Sequence, residues 1–334
     1  MLNSWKIAWG LYMMIETTDV AALTDAVIRE VERAVVGNQD VLKKIMAAFL
    51  ADGGHVLLED YPGLAKTLIA NSFAAVLGLM FKRIQFTPDL LPGDITGGYI
   101  YDRTQNQFSL RKGPLFANLI LADEINRASP RTQSALLEAM QEYQVTLEGE
   151  TIKLPEPFIV IATQNPIEYE GTFPLPEAQL DRFIVKLSVG YPSPEDEQEV
   201  LRRRRERKHD AFELKPVTNA AGLLDMRRAT EEVHVDPDIE QYIVSLTNAT
   251  RRNRKVSVGA SPRGSLALLK LARTWAAMHG RAYVIPDDVK LFARPALIHR
   301  LILEPDLWTE RQAPDEVIAD AIRSVPVPVV KDVG

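Results

Sequence analysis

The sequence of 334 residues contains no cysteine. Disulfide bonds, thiol nucleophiles and metal sites built on cysteine are therefore excluded. The histidines are few and scattered, without the spacing of metal ligands, which argues against a metalloenzyme; they are His55, His209, His234, His279 and His299. The sequence also lacks a Gly-x-Ser-x-Gly segment, the elbow that presents the nucleophile of many serine hydrolases.

Long hydrophobic runs are absent as well. The first residues, MLNSWKIAWGLYMMIE, include an apolar run of about nine to eleven residues, which is too short to span a bilayer. One lysine precedes this run and no small-residue cleavage site follows it, so a signal peptide is not indicated. We interpret residues 1–18 as an N-terminal extension, packed, disordered or produced by an early start, with Met13 or Met14 as the alternative start. A cytoplasmic protein without a membrane span is expected.

An excess of positive charge is also lacking. Lys and Arg number 39 and Asp and Glu number 45, which gives a net charge of −6. Such a chain has no global attraction to nucleic acid, although a local basic patch stays open. The length predicts roughly two domains, and 46% hydrophobic residues are enough for a sizeable core.

Short apolar runs alternate with helical patterns in the first half of the chain. The runs HVLLE, KRIQF, NLILAD and FIVIATQN predict buried strands, and the alternation predicts a parallel sheet covered by helices on both faces. Two hairpins, at about 98–111 and 143–154, interrupt the alternation. The fold class is therefore α/β.

After the proline-rich segment YPSPEDE the pattern becomes helical. Helices are predicted at about 195–208, 219–232, 237–253, 262–280 and 286–302. We place the domain boundary there, with residues 19–190 as the core and residues 191–334 as a helical domain. The charge run EVLRRRRERKHD falls in the first of these helices and is interpreted mainly as a solvated face.

The segment LLEDYPGLAKTLIA suggests a phosphate-binding loop between a strand and a helix. Backbone N–H groups at the helix start would face the phosphates, Lys66 would reach the β- and γ-phosphates, and Thr67 would place its hydroxyl on Mg²⁺. A standard loop has glycine where this chain has Asp60 and Ala65. The alternative interpretation is a plain strand–turn–helix connection with an exposed lysine.

Polar side chains follow two further predicted strands. NLILAD ends in Asp123 and is followed by Glu124, so Asp123 would lie near the metal and Glu124 would polarise the attacking water. FIVIATQN ends in Asn165, which could hold that water or contact the γ-phosphate. An Asn–Pro turn that merely closes the strand is the alternative for Asn165.

Two arginines are candidates for phosphate contacts. Arg182, in LPEAQLDRF, could act on a neighbouring subunit's nucleotide or form an ordinary surface ion pair. Arg263 follows the helix start Ser261-Pro262. A cation there opposes the helix dipole, which favours a role outside the helix. Arg127 and Arg131 are alternative candidates for the finger.

These segments, in this order, resemble the AAA+ ATPases and specifically the MoxR family. The resemblance covers roughly residues 35 to 310, and the strings DEINRASPRTQSALLEAMQE and NPIEYEGTFPLPEAQLDRF are highly specific. It implies a three-layer αβα P-loop core, a C-terminal all-helical lid and a ring, usually a hexamer, that binds ATP and Mg²⁺. The two hairpins resemble the helix-two insert and the pre-sensor insert of such proteins.

The resemblance also implies a role for each matching residue. Nucleotide contacts are expected from Val36, Gly37, Tyr61, Pro62, Gly63, Leu64, Ala65, Lys66, Thr67, Leu68 and Asp123, with Thr67 and Asp123 at the metal. Glu124 is expected as the base, Asn165 as sensor one, Arg182 as the finger in trans and Arg263 as sensor two. The family tolerates an acid and an alanine at the two unusual loop positions. We expect Ala65 to have a negative φ, Asp60 to point away from the phosphates, and the site to be active, with modest affinity.

The first functional hypothesis is a chaperone-like remodelling ATPase that acts on a protein client, with a von Willebrand factor A-domain protein as partner. The alternatives are a nucleic-acid motor, a nucleotide-dependent scaffold and a magnesium-chelatase-like subunit. The hairpins offer few cations for DNA, namely Arg103, Arg111, Lys112 and Lys153, and they also carry Glu148 and Glu150. A complete acid pair argues against a scaffold that barely hydrolyses ATP.

Overall fold

The computed structural model describes residues 15–104, 106–166, 172–308, 310 and 312–328. Most of the predicted N-terminal extension therefore lies outside the described residues, as does part of the segment between Asn165 and Arg182.

The core is built on one parallel sheet. The strands of the chain are β1 (Val56–Glu59), β2 (Phe81–Gln85), β3 (Gly97–Asp102), β4 (Gln107–Lys112), β5 (Leu119–Asp123), β6 (Gln144–Leu147), β7 (Glu150–Lys153), β8 (Ile159–Gln164), β9 (Val185–Leu187), β10 (Val256–Val258) and β11 (Ile302–Leu303). The sheet has the order β2-β5-β8-β1-β9, and all its neighbouring strands are parallel. Its carboxyl ends therefore meet at one edge, where ligands bind in open α/β sheets.

Apart from the polar residues at their carboxyl ends, the central strands are apolar because both faces of the sheet are covered. Leu121 and Ile161 belong to the hydrophobic cluster on one face. Ile120 and Val160, their neighbours in sequence, belong to the cluster on the other face. The alternation confirms the predicted three-layer αβα arrangement.

Helices cover the sheet and continue into the C-terminal part. They are α1 (Thr17–Val31), α2 (Gln39–Leu50), α3 (Lys66–Val76), α4 (Pro92–Thr96), α5 (Pro130–Glu142), α6 (Glu177–Leu180), α7 (Pro194–Arg207), α8 (Ala220–Glu231), α9 (Pro237–Arg252), α10 (Pro262–Met278), α11 (Pro286–Leu297) and α12 (Ala313–Ser324). Ser129, Ser193, Asp236 and Ser261 each cap a helix with the side-chain oxygen, and a proline follows each of them at the first helical position. These Ser-Pro and Asp-Pro pairs fix where the helices begin.

Both predicted hairpins are present as antiparallel pairs, β3–β4 and β6–β7. The turn of the second uses Glu148 and Gly149, both with positive φ, as tight hairpin turns require. The hydroxyl of Tyr99 donates a 2.5 Å hydrogen bond to Glu150. The two hairpins are therefore in contact.

The C-terminal part is helical, as predicted, with two additions. The sequence patterns did not predict the small β10–β11 pair or the helix α12. They also did not predict β9, the three-residue edge strand beside β1. The hydrophobic cluster under α3 continues into α8, α10 and α11, so the two parts share apolar contacts. The division of the chain at residue 190 stays a prediction.

None of the helices within the described ranges is long and apolar enough to cross a membrane.

Candidate nucleotide-binding site

The carboxyl ends of β1, β5 and β8 open into one cavity of about 460 Å³. The loop after β1 and the start of α3 form one wall, with Lys66 as the first residue of the helix. The acids at the end of β5 and the polar end of β8 form the other. The predicted residues Lys66, Thr67, Asp123, Glu124 and Asn165 line this cavity together, as do the predicted loop and helix contacts Pro62, Gly63, Leu64, Ala65 and Leu68. Arg83, Thr163 and Gln164 also line it, and no pattern in the sequence pointed to them.

The loop departs from expectation at Ala65. Its φ is 53° and its ψ is 14°, in the left-handed region. The expectation of a negative φ is therefore wrong. A Cβ costs about 1–2 kcal/mol in this conformation, and glycine avoids that cost. The position requires a turn that glycine adopts more readily, which is why P-loops usually have glycine here.

The other unusual residue, Asp60, turns away from the cavity, as expected. Its carboxylate is buried and accepts hydrogen bonds from the Ser188 hydroxyl at 2.7 Å and from the backbone N–H groups of Val189 and Gly190 at 2.6 and 3.2 Å. These three residues follow the end of β9 directly. Asp60 therefore joins the phosphate loop to the segment that leads out of the core.

The Lys66 ammonium donates to the backbone carbonyls of Asp60 at 2.7 Å and Tyr61 at 3.2 Å. Burial lowers the pKa of Lys66, while the nearby carboxylates of Asp60, Asp123 and Glu124 act in the opposite direction. A phosphate placed in the cavity would offer this ammonium a charged acceptor in place of two neutral ones.

The two acids are held by different partners. Asp123 accepts a 2.6 Å bond from the Thr163 hydroxyl on Oδ1 and bonds from Arg83 on Oδ2. Glu124 has a left-handed backbone, with φ 56°, and its N–H donates to the Thr163 hydroxyl at 2.9 Å. Thr163 thus fixes the turn that places the two acids side by side.

The carboxylate of Glu124 is engaged on Oε2. Gln85 donates to this oxygen at 2.7 Å and Arg127 at 2.9 Å. Arg127, an alternative finger candidate, therefore contacts Glu124 within its own chain. Arg131, the other alternative, is exposed on α5.

The oxygen donors at this site fit Mg²⁺. The Thr67 hydroxyl and the Asp123 carboxylate are hard ligands in one cavity, and Oδ2 of Asp123 already attracts a cation, the Arg83 guanidinium. Within the described ranges, the protein has no cluster of three or more acids and histidines that could hold a metal ion alone. Such a sparse ligand set suits Mg²⁺ shared with substrate phosphates.

A second cavity of about 460 Å³ adjoins the first and shares Gly63, Leu64, Ala65 and Leu68 with it. Its lining is mostly apolar and includes Val36, a predicted contact. Gly37 lies beside α7, where a Cβ would stand 2.6 Å from the Asp196 carboxylate. Tyr61 lines neither cavity, and its ring lies 6.2 Å from that of Tyr191.

Helix α7 forms the far wall of this second cavity. Val200, Arg203, Arg204 and Arg207 line it. The Arg203 guanidinium also donates to the backbone carbonyl of Glu32 at 2.6 Å. The interpretation of this charge run as mainly a solvated face missed that one side of α7 faces the cavity. The signal was Val200 within the charged run, since it places an apolar residue on that side.

Arg182 and Arg263 line a different cavity, of about 290 Å³, together with Asp181 and Arg300. Arg182 donates to the carbonyl of Leu137, while its Nε is buried without a partner. Burial and then the positive charge of Arg263 lower the pKa of Arg182. Arg263 is 4.0 Å from the carboxylate of Asp181. The structure thus brings the two arginines together but does not bring them to the cavity of Lys66.

Comparisons with known proteins agree with this geometry. Residues 55–185 match the model of the "ATPase family associated with various cellular activities (AAA)", and residues 248–329 match that of the "AAA lid domain". The chain is 47% identical over 311 residues to the uncharacterized protein YeaC of Bacillus subtilis, covering 93% of this chain and 97% of that protein.

It is 44% identical over 315 residues to Chaperone MoxR1 of Mycobacterium tuberculosis, covering 92% of this chain and 82% of that protein. Among solved structures, it is similar to a protein from Cytophaga hutchinsonii described as a candidate ATPase. The TM-score is 0.87 and the identity 39%, with 94% of this chain and 97% of that chain covered.

Proposed function

The chain belongs to the MoxR family of AAA+ ATPases, and from this premise we propose that it hydrolyses ATP to ADP and phosphate. The observation that carries the proposal is the shared cavity of Lys66, Thr67, Asp123, Glu124 and Asn165, which adjoins an apolar cavity beside Val36 and shares four lining residues with it. The first suits a triphosphate and the second suits an adenine base. Together they would hold the base and the phosphates of ATP.

Each group in the cavity then has a role. Lys66 and the N–H groups at the start of α3 bind the phosphates, where the helix dipole favours negative charge. Mg²⁺ held by Thr67 and Asp123 would neutralise charge on the phosphate oxygens. Glu124 orients the attacking water and accepts its proton, and Asn165 helps to hold that water or contacts the γ-phosphate.

Arg182 and Arg263 are assigned to the nucleotide of a neighbouring subunit in a ring, which we propose to be a hexamer. The assignment is supported by their place in a cavity other than the protein's own phosphate cavity. Two neighbouring guanidinium groups repel each other, and an anionic phosphate would relieve that repulsion. Arg182 would act as the finger and Arg263 as the second sensor.

The ATPase is proposed to drive a chaperone-like remodelling of a protein client in the cytoplasm, with a von Willebrand factor A-domain protein as partner. A relative carries the name Chaperone MoxR1. Exposed apolar residues on the first hairpin, Ile100, Tyr101 and Phe108, suit contact with a protein chain. The contact between Tyr99 and Glu150 would move the two hairpins together.

The alternative of a nucleic-acid motor is less well supported by the hairpins. Their cations are few, and Lys112 is positioned over the ring of Phe116. A strand that grips phosphates would be expected to present several cations in a row. A magnesium-chelatase-like subunit remains a related alternative, since it would use the same ATPase cycle.

The test is a pull-down with tagged Glu124→Gln, which should bind ATP without hydrolysing it and stall on the client. The matched control is the double variant Lys66→Ala, Glu124→Gln, which should bind no ATP. The proposal is supported if the single variant retains a von Willebrand A-type protein or a maturing enzyme. This retention should require ATP, should be absent with the double variant and should survive nuclease treatment. If the variant instead retains nucleic acid and repair proteins, and loses them on nuclease treatment, the nucleic-acid motor becomes the better-supported function.

A further inference from the structure

Arg83 lies on the edge strand β2, on the side of the sheet that carries Asp123. The parallel register places Arg83 opposite Leu121 and Gln85 opposite Asp123. Because side chains alternate along a strand, Ile84 points to the other face, where it joins the second hydrophobic cluster. The strand therefore directs Arg83 along the sheet edge towards the acid at the end of β5.

The guanidinium of Arg83 is hydrogen-bonded to the carboxylate of Asp123, which is also the proposed Mg²⁺ ligand. Its Nε and Nη2 donate to Asp123 Oδ2 at 3.1 and 2.6 Å, and Nη2 also donates to Gln85 at 2.8 Å. The other oxygen of Asp123 accepts the Thr163 hydroxyl at 2.6 Å. Both carboxylate oxygens are thus in use.

This arrangement conflicts with simultaneous metal binding. A divalent cation at Oδ2 would stand next to the guanidinium, and two positive charges on one oxygen repel each other strongly in a partly buried site. Thr163 is fully buried and also holds the backbone of Glu124. Arg83 is the partner that can leave.

Arg83 has both room to move and an alternative acceptor. Its side chain is 48% exposed, whereas that of Asp123 is 12% exposed. It lines the same cavity as Lys66 and Thr67. A guanidinium binds phosphate oxygens with the same paired geometry that it uses for a carboxylate. A phosphate in this cavity would offset only part of the buried ion pair that Arg83 gives up when it leaves Asp123.

We propose that Arg83 is a positioning residue that holds Asp123 until the Mg²⁺-nucleotide arrives and then releases it to the cation. The proposal rests on the proposed function of this cavity. Arg83 and the cation then compete for Asp123, so Arg83 raises the Mg²⁺ concentration that nucleotide binding requires. It also keeps the buried carboxylate paired in the absence of the cation.

The test uses the full chain and a fluorescently labelled ADP, which reports binding without turnover. Mg²⁺ is titrated at a fixed concentration of the label. In Arg83→Gln the half-saturating Mg²⁺ concentration should fall on the order of tenfold, because the competing charge is gone. In Arg83→Lys, which keeps a positive charge, it should stay within about twofold of the wild type.

Lys82→Gln is the matched control, since it removes one positive charge from the exposed opposite side of the same strand. An unchanged or raised Mg²⁺ requirement in Arg83→Gln would overturn the proposal. An equal fall in the Mg²⁺ requirement of Lys82→Gln would also overturn it, because the effect would then follow from the loss of any nearby positive charge. A wild type that binds no labelled ADP at any Mg²⁺ concentration would overturn the proposed function itself, and this inference with it.

Discussion

The carboxylate of Asp60 accepts a 2.6 Å hydrogen bond from the backbone N–H of Val189. Asp60 opens the phosphate loop, and Val189 lies just after the last strand of the sheet, where the chain leaves the core. Val189 and Gly190 also line the apolar cavity assigned to the base. One buried side chain therefore connects the nucleotide loop to the segment that leads to the helical domain.

Removing this carboxylate should destabilise the protein. Asp60→Ala leaves the buried N–H of Val189 and the partly buried N–H of Gly190 without an acceptor, at an expected cost of about 2–4 kcal/mol in the free energy of unfolding. Chemical denaturation measures the change. Glu59→Gln is the control, since Glu59 forms a partly exposed ion pair with Lys186 and its loss should cost under about 1 kcal/mol. Equal losses in both variants would contradict the assigned role of Asp60.

Asp60→Gly introduces the glycine that a standard phosphate-binding loop has at this position. It distinguishes an effect on the stability of the fold from an effect on nucleotide affinity. We expect the same loss of stability as in Asp60→Ala and no gain in ATP affinity, because the Asp60 side chain does not line the phosphate cavity. Equilibrium binding of a labelled nucleotide measures the affinity. A tighter site without loss of stability would show that Asp60 impairs nucleotide binding.

The backbone at Ala65 predicts the sign of a second glycine substitution. Because its φ is 53°, Ala65→Gly should raise the free energy of unfolding by about 0.5–1 kcal/mol, the cost of the Cβ in the left-handed region less the added entropy of the unfolded chain. Ala75→Gly, on the exposed side of the same helix, should lower it by up to about 1 kcal/mol. Two changes of the same sign would contradict the assigned strain at Ala65.

The sequence predicted the central strands and most of the cavity because these depend on local patterns. The runs before Asp123 and Asn165 are apolar and short, and parallel strands bring their ends to one edge, so Lys66, Asp123 and Glu124 could be placed together from the sequence alone.

Other features depend on residues that are far apart in the sequence, so local sequence patterns could not predict them. Arg83 and Thr163 lie 40 residues on either side of Asp123, and only the strand register brings them to it. The strand β9 has three residues and no pattern of its own. The φ of Ala65 follows from the closure of the loop, and its residue type gives no sign of it.

Buried histidine predicts how stability depends on pH. Burial lowers the pKa of His55 from an ordinary 6.5 to about 4, and its ring bonds to the backbone of Met140 and Val160. In the unfolded chain His55 is protonated below about pH 6.5, whereas in the folded chain it is protonated only below about pH 4. The free energy of unfolding therefore falls as the pH falls through this window. His55 should account for a loss of about 2 kcal/mol between pH 7 and pH 5.

Denaturation at pH 7 and pH 5 measures this loss. Burial also lowers the pKa of His299, so the wild type should lose more than His55 alone explains. His55→Gln should reduce the difference between the two pH values by about 2 kcal/mol, whatever it costs in stability at pH 7. His209→Gln, at an exposed position, should leave the difference unchanged. A difference that His55→Gln does not reduce would contradict the assignment.

The separation of Arg182 from Lys66 predicts the result of mixing two inactive variants. Arg182→Ala and Glu124→Gln should each lower ATP hydrolysis by about 10³-fold or more. In a mixed ring, an Arg182→Ala subunit supplies an intact Glu124 and its neighbour an intact Arg182. Mixing equal amounts should therefore restore roughly one quarter of the wild-type rate, since random assembly completes about one interface in four.

Arg131→Ala is the matched variant for this experiment, because Arg131 is an exposed arginine on α5 and the alternative finger. If Arg182 is the finger, Arg131→Ala alone keeps most of the activity and mixing adds nothing. Recovery with Arg131→Ala and none with Arg182→Ala at any ratio would move the finger to Arg131.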